Sequence, residues 1–128
     1  MSSILLVEDD PNARTGLCEI LEDEGYDVET APDAATALDK SGRERFDLLL
    51  ADYRLPDLSG VELHARVCSM HPETQTIIMT AYEDPEGRAQ AEALGIAAWF
   101  TKPIDLPRLS SSIRAALNRA REPAPTLA

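Results

Sequence analysis

Apolar positions along the chain follow two alternating rhythms. Residues 4–7 (Ile4, Leu5, Leu6, Val7) form an unbroken apolar run, the pattern of a strand buried on both faces. Residues 12–24 then place Ala13, Leu17, Ile20 and Leu21 at helical spacing, and Gly25 supplies a stop. The switch recurs. It predicts a strand at 26–30, a helix from near Asp33 to near Gly42, and a second wholly apolar strand at 46–52. A helix at 61–70, a strand at 76–80 and an Ala-rich helix at 84–94, stopped by Gly95, come next. A strand at 97–101 precedes a last helix at 106–121, with Leu109, Ile113, Ala116, Leu117 and Ala120 on one stripe. Pro56, Asp57, Ser59 and Gly60 mark the stretch after the third strand as loop.

Five strand–helix units in succession predict an α/β fold. The expected architecture is a doubly wound, five-stranded parallel sheet, (βα)5, with strand order 2-1-3-4-5 and helices on both faces. One domain is expected over residues 1–121. Residues 122–128, rich in Pro and Ala, are expected to form a flexible tail or the start of a linker.

Ligands of such sheets bind beyond the carboxyl ends of the strands, where the strand order reverses. The residues just past each strand are therefore the candidates. Glu8, Asp9 and Asp10 follow the first strand, and Asp52 ends the third. Thr80 ends the fourth and Lys102 follows the fifth. Neighbouring strands lie about 4.8 Å apart, so Asp9 and Asp52 are within reach of a shared cation. Lys102 starts about 10 Å away, a gap that its four-carbon stem largely covers. Clustered oxygen ligands suit Mg²⁺ or Mn²⁺, and the absence of thiols and imidazoles at this edge argues against zinc. A cation, a hydroxyl and an ammonium around one carboxylate are the parts of phosphoryl transfer, with Asp52 as the best-placed nucleophile. Each feature also has a plainer explanation. The three acids suit a helix N-terminus, and Asp10, beside Pro11 and Asn12, reads as a cap. Asp52 could be a turn acid, Thr80 a strand residue and Lys102 a solvated surface cation. Four such coincidences at the strand ends of one sheet are what the joint pattern makes improbable. Trp99 alternates along the last strand, outward or packed, and His64 and His71 read as surface or loop residues.

Charge and cysteines narrow the field. The 128 residues carry 23 acidic against 12 basic side chains, a formal net charge of −11. Such a surface repels phosphate backbones, so direct nucleic-acid binding by this domain is not expected. No apolar run is long enough for a membrane span and no signal-peptide pattern opens the chain, so a cytoplasmic setting is expected. Cys18 and Cys68 lie 50 residues apart, match no metal spacing, and read as two free thiols, with a disulfide as the alternative.

These residues resemble the receiver domain of two-component response regulators over nearly the whole chain. "ILLVEDDPNAR" is similar to the family's acidic-pair motif, with Glu8 and Asp9 as the pair. "FDLLLADYRLPDLSG" resembles the phosphoacceptor strand and loop, "IIMTAY" the switch-threonine segment and "WFTKPIDL" the Lys-Pro motif. The resemblance implies that Asp52 accepts a phosphoryl group from a phosphohistidine on a sensor histidine kinase or phosphotransfer protein. It implies Mg²⁺ (or Mn²⁺) held by Asp9, Asp52, Glu8 and the Arg54 backbone carbonyl. Thr80, the Ala81 backbone and Lys102 would hold the phosphoryl oxygens, and Thr80 and Trp99 would act as the switch. The Lys102–Pro103 bond would be cis, and the altered face would be the fourth helix, fifth strand and fifth helix. Such a domain assists its own phosphorylation and dephosphorylation without being a turnover enzyme. An output domain, a downstream protein partner and a homodimer are all left open. Glu8, where Asp is more frequent, and Trp99, where Tyr or Phe is usual, are departures from the family pattern.

Three other functions compete. A flavodoxin-like electron carrier would want a Ser-, Thr- or Gly-rich phosphate loop where this chain has Glu8-Asp9-Asp10. A Mg²⁺-dependent phosphatase would want an acid where Arg54 stands. A receiver-like interaction module not controlled by phosphorylation would have no need of the intact set Asp9, Asp52, Thr80 and Lys102.

Overall fold

A computed structural model describes residues 1–121, with side chains through Arg119. The tail expected at 122–128 and the Ala120 side chain lie outside the described residues. Ten elements alternate: β1 (Ser3–Val7), α1 (Pro11–Asp23), β2 (Asp27–Ala31), α2 (Ala34–Arg43), β3 (Leu48–Asp52), α3 (Gly60–Met70), β4 (Gln75–Thr80), α4 (Pro85–Ala93), β5 (Ala98–Thr101) and α5 (Leu106–Arg121). All strand pairs are parallel, in the order β2-β1-β3-β4-β5. The fold is the expected one. β3 begins two residues later than the apolar pattern suggests. Phe46 and Asp47 form a lead-in, where the Phe46 carbonyl accepts from Thr74 Oγ1 at 2.7 Å and the Asp47 carboxylate accepts from the Ser3 N–H at 2.8 Å.

The unbroken apolar strands make sense once both faces are covered. Ile4 and Leu6 of β1, with Leu48, Leu50, Ile77 and Met79, bury against α1 and α5 through Leu21, Leu109, Ile113 and Leu117. Leu5 and Val7 point the other way, with Leu49, Ala51 and Ile78, against Ala34, Ala37, Leu63 and Val67 of α2 and α3. Short polar side chains cap the helices at their N-termini. Asp10 accepts from the Asn12 N–H at 3.1 Å, Asp33 from Thr36 at 2.8 Å and Ser59 from Glu62 at 3.0 Å. Asp84 accepts from Gly87 at 2.9 Å and Asp105 from Arg108 at 3.2 Å. α2 has a second cap from a distant loop, because Asp57 accepts from the Ala34 and Ala35 N–H groups at 2.9 and 2.8 Å. Those bonds tie the β3–α3 loop, which follows Asp52, to the first turn of α2, the neighbour of α3 on the same face of the sheet. Gly25 and Gly95 end α1 and α4 with φ of 96° and 78°, a region where only glycine is unstrained.

Two expectations about single residues need revision or completion. His64 is not a surface residue. It faces inward from α3, 7% exposed, and its Nδ1 lies 2.7 Å from Thr76 Oγ1. The reason is helical spacing: position 64 falls on the stripe of Gly60, Val61 and Val67 that packs on the sheet. His71 caps the end of α3, and its Nε2 meets the Ser41 carbonyl at 2.8 Å. Cys18 and Cys68 are free thiols. Among the described residues, no helix is long and apolar enough to cross a membrane.

Candidate phosphoacceptor site

The carboxyl ends of β1, β3, β4 and β5 surround one pocket of about 210 Å³. Glu8, Asp9, Asp10, Asp52, Arg54, Thr80, Ala81, Tyr82 and Lys102 line it. The register explains the gathering. Val7 pairs with Ala51, Asp52 with Met79, and Thr80 with Thr101, so the next residues of each strand emerge at one level.

Two of the acids are sunk into the molecule. Glu8 is 2% exposed and Asp52 is 6% exposed. Lys102 reaches across β4 and β3 to hold both. Its Nζ lies 2.6 Å from Glu8 Oε1 and 2.9 Å from Asp52 Oδ1. The Lys102–Pro103 peptide bond is cis. One ammonium cannot neutralise two buried carboxylates, and opposite shifts of the two acids follow. Burial pushes Asp52 up, the adjacent Glu8 carboxylate adds to the push, and Lys102 opposes it, leaving Asp52 at about 7. Burial also disfavours the Glu8 anion, but its hydrogen bonds with Asp52 and Lys102 outweigh that and hold it at about 2. Lys102 is weakened by its own burial and strengthened more by the two acids, so its pKa is raised. At acidic to neutral pH the two carboxylates therefore share one proton.

The third acid differs. Asp9 is exposed at the pocket mouth, yet oxygens of Glu8, Asp9 and Asp52 all lie within 4.8 Å of one another. Three hard oxygen donors at that spacing, short of positive charge, suit Mg²⁺ far better than a soft metal. The main chain that carries Glu8 and Asp9 is held by a residue that the sequence did not single out. Arg14 Nη1, from the first turns of α1, donates to the Glu8 carbonyl at 2.8 Å and to the Asp9 carbonyl at 3.4 Å. Its signal was an arginine four residues after a helix cap, which alone says nothing. Asp10 is spent on capping α1.

The remaining candidates are spread over the pocket wall and beyond it. Thr80 is buried in the wall, and its hydroxyl donates to the Tyr82 carbonyl at 2.9 Å rather than to Asp52. Arg54 and Ala81 border the pocket, and the Arg54 guanidinium lies 5.8 Å from the centre of the Tyr82 ring. Trp99 stands outside the pocket, half-buried, with its ring against Tyr53. Gly60 approaches β3 so closely that a Cβ there would collide with the Asp52 carbonyl oxygen.

A parallel sheet of this order, with two buried carboxylates and a lysine meeting beyond the carboxyl ends of its strands, defines a doubly wound α/β domain of the flavodoxin-like class with a polar pocket at its switch point. The sequence matches the response regulator receiver domain family over residues 4–114, and the chain belongs to that family. It is 38% identical to the response regulator protein PilR of Pseudomonas aeruginosa over 93% of its own length, but it spans only 26% of that protein. A receiver domain from Methanospirillum hungatei superposes with a TM-score of 0.89 at 33% identity, covering 94% of this chain and 96% of that one. The response regulator protein TrrA of Thermotoga maritima, solved in complex with Mg²⁺ and BeF, gives a TM-score of 0.81 at 28% identity, covering 91% and 99%.

Proposed function

We propose that this domain is a phosphorylation-controlled switch whose acceptor is Asp52. The observation that carries the reading is the buried, under-neutralised carboxylate pair Glu8–Asp52, spanned by Lys102 at the switch point of the sheet. A buried charge without full compensation is costly, and functional sites are where such costs concentrate. In the reaction, an Asp52 Oδ attacks the phosphorus of a phosphohistidine on a sensor histidine kinase or phosphotransfer protein. The new O–P bond replaces the N–P bond, and the departing imidazole takes up a proton. Lys102, already 2.9 Å from Oδ1, is placed to follow the incoming phosphoryl oxygens. The Thr80 hydroxyl must leave Tyr82 to join it, so a new acceptor oxygen in the pocket competes with the Thr80–Tyr82 turn. That competition is the local event that biases the loop into α4, and the α4–β5–α5 face is the output we assign.

Glu8, Asp9, Asp52 and the Arg54 carbonyl are the residues we assign to Mg²⁺, which supplies neutralisation of the carboxylates and of the transferring group. The domain turns over no external substrate on this reading, and any hydrolysis is of its own aspartyl phosphate. Because the chain covers a quarter of PilR, an output domain or separate downstream partner is part of the proposal. With a net charge of −11, the domain itself is not assigned a nucleic-acid contact.

The direct test is an intact mass after incubation with Mg²⁺ and acetyl phosphate. One added phosphoryl group is expected in the wild type, and none in Asp52→Asn or in the Mg²⁺-free sample. A wild type that gains nothing, and binds no beryllofluoride with Mg²⁺ either, would return the domain to the class of phosphorylation-independent interaction modules.

Asp52 protonation also sets a pH dependence. With Asp52 at about 7 in the metal-free protein, a proton competes with the cation below neutrality. Mg²⁺ affinity is therefore expected to fall about tenfold from pH 8 to pH 6. Titration followed by Trp99 fluorescence measures it, and a flat profile would contradict the assigned protonation.

A further inference from the structure

Tyr53 follows Asp52 directly and leaves the sheet on the opposite side, packing with the cluster that holds Leu5, Val7 and Leu63. Its main chain is fastened twice: the N–H donates to the Met79 carbonyl at 2.6 Å, and the carbonyl accepts from the Gly60 N–H at 2.7 Å. Its ring meets Trp99 with centroids 5.2 Å apart and planes tilted by 53°. Its hydroxyl fills a notch in the first turn of α4, where a Cβ built on Gly87 would sit 2.6 Å from Oη and 2.7 Å from Cζ. The carboxylate of Asp84, the residue that caps α4, adds to burial in raising the pKa of this hydroxyl. Glycine within a helix is unfavourable relative to alanine, so Gly87 weakens α4 locally in return for the contact with Tyr53.

We infer that Tyr53 is a positioning residue that couples the acceptor carboxylate to α4: its ring, seated in the Gly87 notch and against Trp99, carries displacement of the Asp52 main chain to the first turn of α4 and to β5. The inference rests on the acceptor reading of Asp52 and adds a second route beside Thr80. The routes are separate in space. Thr80 works inside the pocket through the Tyr82 loop, whereas Tyr53 works through packing on the far face of the sheet. Close packing transmits small shifts because tightly filled contacts cannot absorb them.

Trp99 is the only tryptophan, so all indole emission comes from the ring that packs on Tyr53. The experiment compares its response to saturating Mg²⁺ and beryllofluoride, an acyl phosphate mimic, in the wild type, Gly87→Ala, Tyr53→Phe, Tyr53→Ala and the double variant Gly87→Ala/Tyr53→Ala. Gly87→Ala is expected to push the ring from its notch and reduce the response amplitude at least about threefold, with Mg²⁺ affinity unchanged. Tyr53→Phe keeps the ring and loses the hydroxyl that fills the Gly87 notch, so its response should fall between those of the wild type and Gly87→Ala. The double variant should be no worse than Tyr53→Ala, since the added methyl then meets open space. Wild-type amplitude in Gly87→Ala and Tyr53→Ala, or effects of the two that simply add, would overturn the link. If Gly87→Ala does not fold, Tyr53→Phe and Tyr53→Ala decide by the same criterion. A wild type that ignores Mg²⁺ and beryllofluoride would overturn the acceptor reading and the link together, whereas a responsive wild type with equally responsive variants would overturn the link alone.

Discussion

Lys102→Met is expected to destabilise the metal-free protein at pH 8 by about 2–3 kcal/mol, or roughly 10 °C in Tm. Glu8 and Asp52 are both buried, and Lys102 Nζ is within 3 Å of each. Removing the ammonium leaves two buried carboxylates facing each other with no cation between them. The figure is at the low end for a broken buried ion pair because the Lys102 side chain keeps 29% of its exposure and one acid can take up a proton. The raised pKa of Lys102 gives its contribution below the unfolded value near 10.5 and loses it only at still higher pH, so pH 8 lies inside the window where the full effect is seen. Mg²⁺ should restore most of the loss, since a divalent cation can replace the ammonium between the acids. Thermal melts with and without millimolar Mg²⁺ measure both effects. Equal melts for the variant and wild type in chelator would mean that the contact seen here contributes nothing in solution.

The second large effect has the opposite sign. Asp52→Asn is expected to stabilise the metal-free protein at pH 8 by about 2 kcal/mol. Asp52 is raised from 3.8 to about 7, chiefly by burial and then by Glu8. A carboxylate raised in the folded state gives its favourable contribution below its unfolded pKa and loses it as pH rises through the folded one. The wild type should thus lose stability between about pH 4 and pH 7, and Asp52→Asn should not. Taken at face value the shift is worth about twice the figure given, but it is shared with Glu8, and the amide offers Lys102 a weaker acceptor. Glu8 adds the reverse slope only at much lower pH, because its depressed pKa makes its contribution vanish as pH falls through about 2. Denaturant melts at pH 5 and pH 8 test the pair of statements. A variant less stable than the wild type at pH 8, without metal, would contradict the strain assigned to Asp52.

Much of this was legible in the order of residues. The apolar runs at 4–7 and 46–52 end in acids, and a parallel sheet forces strand ends to one edge, so the sequence alone gathers Glu8, Asp9, Asp52, Thr80 and Lys102. Three things could not be read. Lys102 reaches past Asp52 to Glu8, which depends on the side-chain path across β4 and β3. Arg14 acts through the nearby carbonyls of Glu8 and Asp9, and Asp57 through amides in a different loop, and such side-chain-to-backbone bonds leave no periodic trace. Tyr53 looked like the first residue of a loop, because its partners Gly87, Asp84 and Trp99 come from two other elements. His64 was legible and was misread: its place on the buried stripe of α3 was visible in the helical spacing, while its polarity suggested solvent.

The measurement that bears most directly on the central claim is the position of the phosphoryl group. The protein would be incubated with Mg²⁺ and acetyl phosphate, reduced with borohydride, digested and sequenced by mass spectrometry. Reduction converts an aspartyl phosphate to homoserine with release of phosphate, which marks the residue permanently. The account predicts homoserine at position 52 and nowhere else, lost when Mg²⁺ is chelated. Homoserine at Asp9 or Asp10, or a phosphoryl group that survives on a hydroxyl such as Thr80, would contradict it.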